Sequence, residues 1–511
     1  MTIPTLDLVC DEAALGPLGD LIAAELRRGD VVALSGDLGA GKTTLARAII
    51  RAALDDSQAE VPSPTFSLAQ VYEGSKARIA HFDFYRLSGA AEARETGFDD
   101  ALAEGAVLVE WPERAPSMLP DDRLDVALAE ADGGSRRTVR LSGRGAWGTR
   151  LARLSAIHGF LGRAGWGHAR VRPMPADASS RRYLRVDTGE QRTFLMDAPR
   201  QPDGPPIRDG KPYSRIAHLA EDVRPFVAIA NHLRAQGLSA PEILAHDLDR
   251  GLLLLEHLGE RVLGEELARG ADQRELWRSG VDALLAMRRT PCPATLPVAG
   301  TETYTVPPYD AEAMQIEVEL LVDWYMPAIT GVAIAAGARE EFLAAWHGVF
   351  ARILALPKAL VLRDYHSPNL LALPERQGPA RVGIIDFQDG LIGHAAYDLV
   401  SLLQDARLDV APEIERELFG YYVQRAAATE PDFDASGFEF AYRALGAQRN
   451  TKILGIFTRL ARRDGKPGYL AHIPRIWRYL ERDLAHDGLK PLCAWYDAHI
   501  PPELRQQPLR S

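Results

Sequence analysis

The run Val31-Val32-Ala33-Leu34, followed by Gly36-Asp37-Leu38-Gly39-Ala40-Gly41-Lys42-Thr43-Thr44, constrains the fold more than any other stretch of the chain. It is G-x-x-x-x-G-K-T set between an apolar strand and the helical run Leu45 to Leu54. The glycines let successive backbone N–H groups wrap a phosphate, and the helix N-terminus that follows favours the anion. Lys42 would reach the outer phosphates, and the Thr43 hydroxyl would ligate magnesium. A chain holding this unit must build an α/β domain around that strand, with ATP and Mg²⁺ at its end. Gly36 to Thr44 are therefore the first candidate nucleotide-binding residues.

The neighbouring sequence fits such a domain. Leu6 to Val9 reads as a short first strand. Glu12 to Arg28 has helical spacing, with Leu15, Leu18, Ile22 and Leu26 apolar and Gly29 suited to its end. Pro62-Ser63-Pro64-Thr65-Phe66 is a stiff loop bearing hydroxyls. Ile79 to Arg86 is a strand that reaches Asp83, and Val107-Leu108-Val109-Glu110-Trp111 is another that ends in an acid. Acids at strand ends beside a P-loop are where water positioning or magnesium binding belongs, which makes Asp83 and Glu110 candidates. Val139-Arg140-Leu141 reads as a last strand, and Ser142-Gly143-Arg144-Gly145 breaks the pattern. The spacing places a domain boundary near 146–150, with residues 1–147 on one side and 148–511 on the other.

A second constellation lies between Leu360 and Asp398. The apolar run Leu360-Val361-Leu362 leads into Arg363-Asp364-Tyr365-His366-Ser367-Pro368-Asn369, and a further run, Val382 to Ile385, ends in Asp386-Phe387. One Asp to take a proton from an acceptor hydroxyl, with an Asn and a further Asp to hold magnesium, is the set that phosphoryl transfer from ATP requires. The spacing Asp364 to Asn369 and the pair Asp386-Phe387 match the catalytic-loop and metal-binding patterns of protein kinases. Asp398 opens a helix; it can cap that helix or brace the loop, and either role is structural.

Upstream, His168 to Met174, Arg182 to Val186 and Thr193 to Met196 read as three strands. The loop between the first two, Ala176 to Arg181, stands where a kinase N-lobe covers its nucleotide. It carries Ser179, Ser180 and Arg181 instead of glycines. Gly251 to Gly259 is a buried strand leaving into a connector. It is either plain core or the hinge whose backbone meets adenine, which would involve Glu256 and Leu258. Gln448, Arg449, Lys452, Arg459, Arg462, Arg463 and Lys466 form a basic run. Such runs are usually solvated helix faces, and the other reading is an anionic substrate group.

Bulk properties narrow the partners. The formal net charge is −11 at pH 7, which opposes tight unaided binding of bare nucleic acid. Cys10, Cys292 and Cys493 are far apart and lack zinc spacing, as in a reducing compartment. No basic leader precedes Glu12 and no apolar run approaches membrane length, so a cytoplasmic protein without a membrane partner is expected.

GDLGAGKTT, SPTFSL, HFDFYR and EWPE, in that order, resemble TsaE, the ATPase subunit of the bacterial machinery that makes threonylcarbamoyladenosine in tRNA. The resemblance covers about Leu6 to Gly145. It implies Thr43 and Glu110 at the magnesium, Asp83 needed for hydrolysis, Thr65 in a switch-like loop near the γ-phosphate, and partner subunits of the TsaB and TsaD type.

From about Gly159 to Arg478 the chain resembles the aminoglycoside phosphotransferase class, an α+β, two-lobed, protein-kinase-like fold. The implied N-lobe is about 165–258 and the C-lobe about 259–511. ASSRRYLRV, FLMDAP, EDVRPFVAIA, LRDYHSPNLL, IIDFQD, YDLVSLLQD and RLARRDGKPGY are similar to the AmgK branch. That branch phosphorylates the anomeric hydroxyl of N-acetylmuramate and N-acetylglucosamine in cell-wall recycling. The resemblance implies Asp364 as base, Asn369 and Asp386 as magnesium ligands, and an amino sugar as substrate.

Two features depart from the wider kinase pattern. Leu362 replaces a histidine, and Met196 stands where the strand lysine belongs, leaving Arg181, Arg182 and Arg185 as candidate cations. Three readings stand beside a bifunctional enzyme. The second half could be an aminoglycoside or other small-molecule kinase, or a non-catalytic nucleotide-binding module. The first half could be a regulatory interaction subunit. A cationic antibiotic would have no use for the basic run, and intact Asp364, Asn369 and Asp386 oppose a dead module.

Overall fold

The P-loop strand lies at the centre of a seven-stranded mixed sheet in a computed structural model that describes residues 3–74, 78–174, 181–506 and 509. The strands are β1 (Thr5–Cys10), β2 (Val31–Ser35), β3 (Ala69–Glu73), β4 (Arg78–Asp83), β5 (Ala106–Glu110), β6 (Leu124–Ala131) and β7 (Arg136–Gly143). They are ordered β1-β7-β6-β2-β5-β4-β3. β2 pairs in parallel with β5 and β6, and β4 in parallel with β5, while β1, β3 and β7 are antiparallel to their neighbours. β2 and β5 are apolar runs because both of their faces are covered. Val31, Val107 and Val109 face a core with Phe82, Phe84 and Phe98. Their alternates Val32, Leu34, Ala106 and Leu108 face the other side, against the helices α1 (Leu15–Glu25) and α2 (Lys42–Leu54). The short helices α3 (Ala90–Glu95) and α4 (Phe98–Glu104) lead into β5.

The large sheet passes directly into α5 (Ala146–Arg163), and then into β8 (Arg170–Pro173), β9 (Arg182–Asp187) and β10 (Arg192–Asp197). These join the strands Leu252–Glu256 and Ile243–Asp247 in a five-stranded sheet. One hydrophobic core includes Leu15 and Leu45 from the P-loop side, Leu151, Leu154 and Phe160 from α5, and Leu184, Leu195 and Leu254 from the small sheet. Each such buried side chain stabilises by roughly 1.5–3 kcal/mol. Ion pairs cross the same seam. Asp30 takes both ends of the Arg150 guanidinium at 2.6 and 2.7 Å, and Asp20 takes Arg170 at 2.5 and 2.7 Å. Glu25 takes Arg182 at 2.6 Å. Met1–Pro199 and Leu244–His257 accordingly form one unit, and Arg200–Ile243 with Leu258–Ser511 form a second.

The second unit is mainly helical. Its long helix Ala435–Arg462 packs on Ala311–Leu320, where Gly455 sits so close to Leu320 that a Cβ would meet backbone atoms at 2.3 Å. Two small two-stranded sheets carry the catalytic stretch: Ala359–Val361 pairs with Leu391–Gly393, and between them in the chain Leu370–Ala372 pairs with Val382–Ile384. A further hairpin pairs Thr295–Ala299 with Glu302–Thr305. Among the described residues no helix is long and apolar enough to cross a membrane.

Candidate active sites

The P-loop leaves β2 at Ser35 and enters α2 at Lys42. Gly36 (φ 138°) and Gly41 (φ 104°) occupy backbone regions that L-residues avoid, and a Cβ on Gly36 would lie 2.2 Å from the Leu128 carbonyl oxygen. Ala40 is fully buried beneath the turn. Lys42 Nζ donates to the carbonyls of Gly36 at 2.7 Å and Asp37 at 2.8 Å, and lies 3.8 Å from the centre of the Trp111 ring. Burial holds the Lys42 ammonium below its ordinary pKa, opposed by the charges of Glu110, Glu113, Asp83 and Asp37.

Register brings the two acids together. Asp83 on β4 is the parallel partner of Glu110 on β5. Thr43 Oγ1 donates to Glu110 Oε2 at 2.9 Å. Thr65 Oγ1 donates to Asp83 Oδ2 at 2.8 Å, and the backbone N–H of Tyr85 donates to Asp83 Oδ1 at 2.9 Å. Leu38, Gly39, Thr43, Thr44, Thr65, Asp83 and Glu110 line one cavity of about 250 Å³. Two residues there carried no role in the sequence reading. The fully buried His81 lies with Nε2 3.0 Å from Glu110 Oε1. Trp111, at φ 58°, is the cover over Lys42. Only contact across strands reveals either role.

In the second unit, Asp364 follows Arg363, which has the left-handed φ of 72°. That conformation is costly for a long side chain and is held from three directions. Asp398 accepts the backbone N–H groups of Leu362 and Arg363, Ala217 O accepts Arg363 Nη1 at 2.8 Å, and Glu317 accepts Arg363 Nη2. Glu317 is wholly buried and also accepts from Tyr309 at 2.6 Å, Gln448 at 2.8 Å and Lys452 at 3.3 Å. Although burial disfavours the charge of Glu317, Arg363 and Lys452 lead in bringing its pKa down to about 2. Gln448, Arg449 and Lys452 are thus buried rather than on a solvated face, Gln448 and Lys452 because they answer the buried Glu317 and Arg449 with Nη1 donating to the Gln404 carbonyl. Asp398 is braced as the sequence suggested; burial pushes its carboxyl up to about 7 against the two N–H donors, with Asp364 adding to the rise.

Asn369 Nδ2 donates to the Asp364 carbonyl at 3.0 Å and lies 3.4 Å from Asp386 Oδ2. Asn369 O accepts the Ile385 N–H at 3.0 Å, which ties the amide to the strand that presents Asp386. Gln388 Nε2 donates to Asp386 Oδ1 at 2.9 Å, and Asp386 itself has φ 58°. The structure therefore brings Asp364, Asn369 and Asp386 to one place. Leu258 is packed with Leu371 and Leu373 in this unit, and Glu256 ends its strand in the first.

Met196 is buried in β10. Of the three candidate cations, Arg182 is committed to Glu25 and to Asp197. Arg181 immediately precedes β9 and Arg185 lies within it. Ser179 and Ser180 lie outside the described residues.

The oxygen donors Thr43 with Glu110, and Asn369 with Asp386, suit a hard cation held by one or two protein groups together with phosphates. No cluster of three or more His, Cys, Asp or Glu able to cage a metal occurs among the described residues.

Residues 9–139 match the family model described as threonylcarbamoyl adenosine biosynthesis protein TsaE, and residues 170–435 match the phosphotransferase enzyme family. Over 363 residues the chain is 40% identical to an N-acetylmuramate/N-acetylglucosamine kinase of Caulobacter vibrioides, covering 69% of this chain and 98% of that one. A kinase of the same name from Pseudomonas aeruginosa is 35% identical over 332 residues, 63% of this chain and 86% of the relative. Over 119 residues the chain is 40% identical to the tRNA threonylcarbamoyladenosine biosynthesis protein TsaE of Rickettsia conorii, 23% of this chain and 67% of the relative.

Proposed function

Because the chain belongs to the TsaE family over its first part and to the phosphotransferase enzyme family over its second, we propose that it carries two ATP-dependent activities. The first is the ATPase of threonylcarbamoyladenosine formation in tRNA, and the second is a kinase of N-acetylmuramate and N-acetylglucosamine. The observation that carries the reading is the pairing of neutral and acidic oxygen donors, Thr43 on Glu110 and Asn369 beside Asp386. Thr43 with Glu110, and Asn369 with Asp386, would hold magnesium, which when bound would supply positive charge against the phosphates.

In the first activity, backbone N–H groups of Gly39 to Thr43 cradle the phosphates and Lys42 moves from its carbonyls to the outer phosphates. Asp83, held by Thr65 and the Tyr85 N–H, orients the attacking water. The net charge of −11 opposes tight binding of tRNA alone, so the ATPase acts through partner subunits of the TsaB and TsaD type. In the second activity, Asp364 accepts the proton of the anomeric hydroxyl as that oxygen bonds to the γ-phosphorus. The bond to the β-phosphate bridging oxygen breaks, ADP leaves, and the sugar 1-phosphate forms.

The test uses the full chain. Incubation with γ-labelled ATP and either sugar should give an acid-labile, non-reducing phosphosugar. Addition of the chain and ATP to TsaB- and TsaD-type proteins, supplied with tRNA and an activated threonylcarbamoyl donor, should raise threonylcarbamoyladenosine yield. A 6-phosphate product would overturn the anomeric assignment, and no gain in modified tRNA would overturn the first activity.

A further inference from the structure

One face of the long helix Ala435–Arg462 runs close to the catalytic loop, near enough at Lys452 to feel the charge of Asp364. Gln448 and Lys452 bind Glu317, and Gly455 seats against Leu320 of the same partner helix. Arg459 is next on that face, since positions 448, 452, 455 and 459 recur at helical spacing. Its guanidinium carbon lies 5.6 Å from the centre of the Tyr213 ring. Tyr213 begins the short helix Tyr213–Ile216, and the residue after that helix, Ala217, gives its carbonyl to Arg363, the neighbour of Asp364. Arg459 therefore stands on a shelf that is anchored to the catalytic loop.

Its charge is unanswered. Among the described residues Arg459 forms no ion pair, and its Nε is buried without an acceptor. Asp464, whose charge reaches Arg459, and the acids of the helix it packs on are engaged by other cations. Glu317 serves Arg363 and Lys452, Glu319 serves Arg208 and Arg339, and Asp464 serves Arg463. Burial lowers the Arg459 pKa, with Tyr213 and Asp464 opposing that fall and Arg463 adding to it. A half-buried, planar, unpaired fork suits bidentate capture of a planar anion.

We infer that Arg459, seated on Tyr213, receives the carboxylate of an acidic acceptor sugar and so sets preference for N-acetylmuramate over N-acetylglucosamine. The two sugars differ by one O-lactyl group, whose carboxylate is the only ionised group on either. This inference rests on the proposed sugar kinase activity. Asp364 takes the proton in both cases, and Arg459 acts on binding alone.

The experiment measures kcat/KM of the full chain for N-acetylmuramate, its methyl ester and N-acetylglucosamine, and repeats it with Arg459→Met and Arg459→Lys. Arg459→Met keeps the stem that packs on Tyr213. The ratio of kcat/KM values, N-acetylmuramate over N-acetylglucosamine, should fall about 10–100-fold in Arg459→Met through KM, with a smaller fall in Arg459→Lys. In the unaltered chain the methyl ester should lose the same advantage, which tests the idea without any variant. An unchanged ratio, or a rise in the KM for ATP alone, would show that Arg459 serves no sugar carboxylate. Failure of the unaltered chain to phosphorylate either sugar would instead overturn the proposed kinase activity itself.

Discussion

Asp398 Oδ1 accepts the backbone N–H of Arg363 at 2.9 Å, fixing the residue before the proposed base in a left-handed turn. Its Oδ2 does the same for Leu362 at 2.7 Å. The ionised form makes the stronger bonds. Burial raises this carboxyl to about 7, so its charge changes near neutrality. The sugar kinase kcat should therefore fall as pH drops through about 7. Asp398→Asn should be slower and should lose that limb; a limb that persists in the variant would sink the assignment.

Stability should run the other way. Asp398 and Asp483, the latter also raised by burial to about 7, bind protons more tightly folded than unfolded. Their stabilisation is complete below the unfolded carboxyl range of about 4 and is lost as pH rises through about 7. Urea melts between pH 5 and 8 should show the midpoint falling with pH, by less in Asp483→Asn. A midpoint that rises across that window would contradict the two raised carboxyls.

Lys42 belongs to one site. Lys42→Ala removes the donor to the Gly36 and Asp37 carbonyls and the cation beside Trp111. ATP hydrolysis stimulated by the tRNA-modifying partners should fall by about 10²–10³-fold. Sugar phosphorylation by the same purified variant should persist. Loss of both in a folded variant would show that the two sites depend on each other.

What could be read from sequence was contiguous. Gly36 to Thr44 and Asp364 to Asn369 each present their chemistry within one turn or loop, so spacing alone displays it. The roles of His81 and Glu317 were hidden because their partners are distant in the chain, 29 residues away for Glu110 and 46 for Arg363. Lys452 and Gln448 looked like surface for the same reason, since a buried helix face reads as basic when its counter-ion lies on another helix. The seam between the large and small sheets was also illegible. Asp20, Glu25 and Asp30 look like ordinary helix and turn acids until Arg170, Arg182 and Arg150 are placed against them.

That seam carries its own test. Asp20 is fully buried, bonds Arg170 twice and accepts the Val171 N–H at 3.0 Å. Arg170 is itself partly exposed, so the pair is discounted relative to a fully buried one. Asp20→Ala should still cost about 1–3 kcal/mol, because the Val171 N–H is left without an acceptor. Chemical denaturation of the full chain checks this, and Asp20→Asn should recover part of the loss. A change within about 0.5 kcal/mol would mean the seam is held by its apolar core alone.

The proposed base is tested by separating proton transfer from metal binding. Asp364→Asn keeps the size of the side chain and removes its basicity. The kcat with N-acetylglucosamine should fall by roughly 10²–10⁴-fold with little change in the KM for ATP. Asn369→Ala and Asp386→Ala act on the other side of the reaction. Asn369 Nδ2 is bonded to the Asp364 carbonyl, so its loss also loosens the base, whereas Asp386 is bonded to Gln388 and meets the base indirectly, through Asn369. Asp386→Ala should therefore raise the magnesium concentration needed for half-maximal rate and the KM for ATP together. Asn369→Ala should do so and lower kcat further at saturating magnesium. If Asp364→Asn retains near-parental turnover while Asp386→Ala is inactive, the proton must leave by another group, and Asp364 only shapes the loop.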